Sequence, residues 1–180
     1  MKYKILLIAG IQALLFTFFS NFAIAEVQNS AVDIYKDKNV HFTFSPPAGW
    51  VKAEMATDMA SQVNFRSPDK KAGLGVIAQL DAGDIESLFL KKKDYIKDFK
   101  ARFPKGKFSL VWDTLGERKV IKINFEIPGM IKQEQYFFYD QGIRFDLVYG
   151  VINFADFKKY NQSALDAFGM IQPQEMVKSK

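Results

Sequence analysis

The chain has 180 residues, with 25 Lys and Arg against 20 Asp and Glu, a formal net charge of +5, one histidine and no cysteine. That length suits one domain, and burial of an apolar core must stabilise it without disulfide staples. The lack of cysteine excludes thiol chemistry. One histidine leaves zinc, copper and haem sites of the usual kinds without ligands, and the mild basic excess does not point to nucleic acid, so no metal or cofactor is expected.

Residues 1–25 read as a secretory signal peptide. Lys2 and Lys4 give a positive start, and Ile5 to Phe19 is apolar apart from Gly10, Gln12 and Thr17. Ala23-Ile24-Ala25 then places small residues where a signal peptidase reads them. The alternative is an uncleaved anchor, because about 20 apolar residues span a bilayer. The Ala-x-Ala end favours cleavage after Ala25, and so a periplasmic or secreted protein. No later segment is apolar enough to span a membrane. Residues 26–31 read as a flexible leader, 32–172 as the folded domain and 173–180 as a disordered tail.

Within the domain, Val32 to Tyr35 is a short strand candidate, and Asp37-Lys38-Asn39 reads as a hairpin turn. Val40 to Ser45 alternates, with Val40, Phe42 and Phe44 on one side and His41, Thr43 and Ser45 on the other. Pro46-Pro47-Ala48-Gly49 stops this strand, because proline cannot donate to a ladder, and Trp50 follows as a plug at the end of the sheet. Ser61–Arg66 and Gly75–Leu80 are further strands, separated by the turn-rich Ser67-Pro68-Asp69-Lys70-Lys71. Asp84 to Phe103 carries the clearest helical period. Ile85, Leu88, Phe89, Ile96, Phe99 and Phe103 share a face, Asp84 stands at the cap, and Pro104 and Gly106 end the run.

Four strand candidates follow: Phe108–Thr114, Arg118–Ile127, Met130–Tyr139 and Ile143–Ile152. Turns at Leu115-Gly116, Pro128-Gly129 and Asp140-Gln141-Gly142 join them. Such short links force antiparallel neighbours. Tyr136-Phe137-Phe138-Tyr139 is apolar at both parities, so pattern alone does not fix its register. Asn153 opens a last helix with Phe157, Tyr160, Ala164, Leu165 and Phe168 inward, and Gly169 is expected at its C′ position.

An antiparallel sheet with apolar stripes needs helices to cover it, which gives an α+β fold with two main helices. Phe42-Thr43-Phe44-Ser45-Pro46-Pro47-Ala48-Gly49-Trp50 resembles the F-x-F/I-x-x-P-x-G-W opening of the PsbP-like superfamily, which includes the photosystem II extrinsic protein PsbP and periplasmic DcrB-type proteins. The order of elements over about residues 32–172 is similar too. The resemblance implies an α/β/α sandwich and accessory, mostly non-enzymatic roles. It supplies no catalytic motif.

No catalytic set assembles in the sequence. His41 stands alone and reads as an ordinary surface or helix-covered histidine. Asp81, Asp84 and Glu86 suggest a hard-cation site but lack a calcium-loop pattern, and helix capping explains them better. Gly73-Leu74-Gly75 after Lys70-Lys71 lacks the lysine and helix of a phosphate loop and reads as a turn opening a strand. A carboxylate pair for a glycosidase-like site would have to come from Asp113, Glu117, Glu126, Glu134 or Asp146. The strongest partner signal is charge. Lys91, Lys92, Lys93, Lys97, Lys100, Arg102, Lys105 and Lys107 outnumber Glu86, Asp94 and Asp98, and Lys93, Lys97 and Lys100 form a stripe read as lying opposite the apolar face. With Arg102, this stripe is the candidate surface for an envelope protein, an anionic lipid or a cell-wall polymer, against the alternative of a solvated helix face. The leading expectation is an exported binding or accessory module. Its rivals are a small carboxylate-dependent hydrolase and a carrier of an apolar ligand.

Overall fold

The computed structural model describes residues 34–53 and 61–174; the signal peptide and leader expected over 1–31 lie outside them. Seven antiparallel strands form the main sheet in the order β3-β4-β5-β9-β8-β7-β6. They are β3 (Val51–Lys52), β4 (Gln62–Arg66), β5 (Ala72–Leu80), β6 (Lys107–Leu115), β7 (Arg118–Ile127), β8 (Ile131–Asp140) and β9 (Ile143–Val151). A small sheet joins β1 (Tyr35–Lys36), β2 (Phe42–Phe44) and β10 (Gln172–Pro173), with β2 in the middle. Helix α1 (Ile85–Arg102) links β5 to β6, and α2 (Phe157–Gly169) precedes β10.

The meander follows from its turns. Leu115 pairs with Arg118 around Gly116, whose φ of 63° suits a tight two-residue hairpin. Gln141 and Gly142 both have positive φ between the paired Asp140 and Ile143, the pattern of a type I′ turn. These turns fix the register of Tyr136–Tyr139, which the sequence left open: Phe137 stands opposite Ile121 and Asp146.

The apolar side chains gather in two clusters. The larger joins Phe42 and Phe44 of the small sheet, Trp50, and Phe65, Leu74, Tyr136, Phe138, Phe145, Leu147 and Tyr149 of the main sheet. It also takes in Phe157, Ala164 and Phe168 of α2. The second joins Leu88, Ile96 and Phe99 of α1 to Ile121, Ile123, Phe125 and Phe137. The two draw on opposite parities of β7 and β8, which is why Tyr136–Tyr139 is apolar throughout. Each fully buried phenylalanine contributes about 1.5–3 kcal/mol of transfer free energy. Trp50 packs edge-on against Tyr160 of α2, ring centroids 5.7 Å apart.

Several sequence expectations need correction. Gly73 and Gly75 lie inside β5, where they pair with Arg66 and Asn64 on one side and with Gly150 and Val148 on the other. β5 therefore starts at Ala72, and Gly73-Leu74-Gly75 is not a turn. Pro173 belongs to a strand, not to a tail, because Gln172 and Pro173 pair with Thr43 and Phe42. Asn153 caps a 3-10 turn (Phe154–Asp156) that leads into α2, accepting from Ala155 N at 3.1 Å. Gly169 ends α2 from within, and Met170 is the cap. Among the described residues no helix is long and apolar enough to cross a membrane.

Candidate basic groove between α1 and β6

Helix α1 starts where Asp84 accepts from Ser87 N at 2.8 Å, which satisfies one of the free amides of the first turn. Its buried Ile96 and Phe99 then hold it against the β6–β8 end of the sheet. Phe99 sits 5.2 Å from Phe125 and 6.1 Å from Phe108, ring centroid to centroid. Further along, Phe89 stacks on Trp112 at 4.5 Å with planes 7° apart. Between these contacts the helix and β6 leave a groove of about 530 Å³. Ile96, Phe108 and Leu110 supply its apolar lining, and Lys93, Lys97 and Lys100 supply its charge.

The three lysines lie beside the apolar face, not opposite to it, since they share the groove with Ile96. Spacings of four and three residues bring them onto one stripe one step round from that face. Among the described residues they have no carboxylate within ion-pair distance. Lys107, Lys119, Lys122 and Lys132 all have one. Asp94 and Asp98 do not line the groove. Arg102 does not line it either: its guanidinium carbon lies 6.0 Å from the Phe99 ring centroid.

The sequence reading passed over Lys92 as one charge among many. It falls on the apolar stripe, four residues after Leu88 and four before Ile96, and that spacing was the available signal. It is 8% exposed, with Nζ 3.6 Å from the Phe137 ring centroid and 5.5 Å from that of Tyr95. Burial pulls its ammonium down from 10.5 to about 8; Asp146 opposes that fall and Arg144 adds to it. Nearby, Arg144 donates from Nη1 to Asp81 (3.0 Å), from Nε to Asp146 (3.0 Å) and from Nη2 to Gln79 (2.7 Å). Tyr139 donates its hydroxyl to Asp81 at 3.1 Å.

The suggested cation cluster has dispersed. Asp81 binds Arg144, Asp84 caps α1, and Glu86 pairs with Lys119 at 3.1 Å. Four of the five carboxylates considered for a glycosidase-like pair, Asp113, Glu126, Glu134 and Asp146, also face cations. Glu134 and Asp113 stand 3.0 and 3.8 Å from Lys122, and Glu126 lies between Lys107 and Lys132. Burial pushes Glu126 up, but the hydrogen bond and charge of Lys107, joined by Lys132, hold it below the ordinary carboxylate range. Asp81 is likewise held low, by the Gly83 amide first and then, against its burial, by Tyr139 and Arg144. His41 is exposed just before β2, with a φ of 57°.

No protein-family model matches the chain, and no curated protein does. Solved structures do. The solution structure of cyanobacterial PsbP (CyanoP) from Synechocystis sp. PCC 6803 superposes with a TM-score of 0.56 at 10% identity, over 84% of this chain and 99% of that one. A crystal structure from Bacteroides thetaiotaomicron VPI-5482 gives 0.54 at 16% identity, again over 84% of this chain; the match spans about half of that longer chain, 52%. A structural likeness at such low identity carries the fold alone. The chain has a PsbP-like fold.

Proposed function

We propose that this is an exported, non-enzymatic envelope protein: a PsbP-like binding or accessory module that holds an acidic partner in the groove between α1 and β6. The observation behind this reading is the pairing of three cations that lack carboxylate partners with an apolar lining in one groove. Such a surface attracts negative charge over a distance and gains further from burying apolar groups at contact. Export rests on the signal-peptide pattern of residues 1–25, with cleavage after Ala25 and a periplasmic or secreted destination. The layering is an α/β/α sandwich, supported by the opposite parities through which the two clusters use β7 and β8.

The rival readings draw less support. A carboxylate-dependent hydrolase needs an acid with a raised pKa, whereas Glu126 and Asp81 are held low. A carrier of an apolar ligand needs room between sheet and helix, and Phe42, Phe145, Phe138 and Phe168 fill that space.

The test is crosslinking with mass spectrometry on the exported protein in its native envelope, comparing it with Lys93→Glu/Lys97→Glu/Lys100→Glu. Crosslinks from α1 and β6 are expected, falling roughly tenfold or more in the reversed variant once attraction becomes repulsion. Unchanged crosslinks in the variant would remove the groove as the site.

A further inference from the structure

The geometry points to the form of the partner: an extended segment of another protein, carrying acidic and apolar side chains together on one face, that joins the main sheet as a strand along the outer edge of β6. If the groove is the binding site, as proposed above, its position fixes what can lie in it. β6 is nine residues long and terminal in the sheet, and among the described residues nothing pairs with its outer edge. Leu115 and Arg118 flank a two-residue turn, so they exchange ladder hydrogen bonds, and alternate residues back along β6 do the same. The backbone amides and carbonyls of Phe108, Leu110, Trp112 and Thr114 therefore point outward. Thr114 agrees: its N–H is taken by the Asp113 carboxylate at 2.8 Å and not by β7.

These outward groups belong to the same residues whose side chains face α1. Phe108 and Leu110 line the groove, and Trp112 stacks on Phe89 of the helix. A strand laid against β6 thus bonds to Phe108, Leu110 and Trp112 through its backbone. Side chains of one parity then fall beside Ile96, Lys93, Lys97 and Lys100. Trp112, 39% exposed, extends the apolar rim. An unpaired edge is an aggregation hazard that proteins commonly blunt, and adding a strand is the established use of such an edge. Charge complementarity sets the composition of the groove-facing parity: carboxylates for the lysines, interspersed with aliphatic side chains for the lining.

The probe is a synthetic nonapeptide, Thr-Glu-Thr-Leu-Thr-Asp-Thr-Val-Thr, whose even positions put acidic and aliphatic side chains on one face, titrated against the folded protein with amide hydrogen exchange as readout. Two further peptides carry N-methyl groups on alternate residues, one in each register. Binding should slow exchange at Phe108, Leu110 and Trp112, and one methylated register should bind at least tenfold more weakly than the other, having lost its edge hydrogen bonds. Equal affinity of all three peptides overturns the strand pairing. So does the absence of binding at millimolar peptide, or binding only to phosphatidylglycerol vesicles. If the three peptides bind the native protein equally and Lys93→Glu/Lys97→Glu/Lys100→Glu weakens them all, the groove remains a binding site and strand addition falls.

Discussion

Replacing Lys92 with methionine is expected to stabilise the protein at neutral pH by about 3 kcal/mol. The ammonium is buried against Phe137 with no carboxylate in ion-pair range among the described residues, so folding removes it from water without full compensation. Its fall from 10.5 to about 8 measures that penalty, at roughly 1.4 kcal/mol per pH unit. Below pH 8 the lysine is charged in both states, and the folded state bears the whole cost. Between about 8 and 10.5 the folded protein sheds the proton while the unfolded chain keeps it. Stability contributed by this residue therefore rises with pH across that window and levels off above it. The advantage of Lys92→Met should shrink over the same window and vanish near pH 10.5. Urea unfolding of both proteins at pH 7, 9 and 10.5 measures it. A difference that stays constant with pH would mean that the buried charge is not its source.

Arg118→Ala should cost about 3 kcal/mol, a large effect for a residue at a hairpin turn. Its guanidinium ties three elements together. Nη1 donates to Gly169 O at 3.1 Å and Nη2 to Ile171 O at 2.7 Å, while Nε donates to Asp140 at 3.2 Å. The first two acceptors belong to the end of α2 and the residues just after it, where carbonyls lack helical partners and the helix dipole favours a cation. Hydrogen bonds from a charged donor contribute about 1.5–3 kcal/mol each before overlap is allowed for, and truncation leaves those carbonyls without the donor. Lysine places one point charge where a planar fork spans three acceptors, so Arg118→Lys should restore less than half of the loss. Thermal and urea unfolding check this. A cost below 1 kcal/mol, or full rescue by lysine, would show that water replaces the fork.

Much of this architecture is legible in the sequence. Glycine and Asp-Gln-Gly turns mark the meander, a clean helical period marks α1, and the alternating Phe42-Thr43-Phe44 marks β2, though not its place in a separate small sheet. What escaped the sequence depends on neighbours far along the chain. Gly73 and Gly75 look like a turn locally, yet β4 and β9 on either side make them strand. Pro173 looks like the start of a tail until β2 offers an edge. Lys92 looks like one more surface lysine in Lys91-Lys92-Lys93, and only packing against Phe137 shows that the middle one is buried. The candidate site was half legible. Helical spacing joined Lys93, Lys97 and Lys100, but only the crossing of α1 over the sheet sets β6 beside them and leaves Arg102 outside.

Amine labelling of lysines, in cells and on the purified protein, tests the central claim most directly. With the groove occupied by a partner, Lys93, Lys97 and Lys100 should label several-fold more slowly in cells than in the purified protein, while exposed Lys36 and Lys158, away from the groove, keep their rates. Equal slowing at all five positions, or none at the three groove lysines, would contradict a partner bound between α1 and β6.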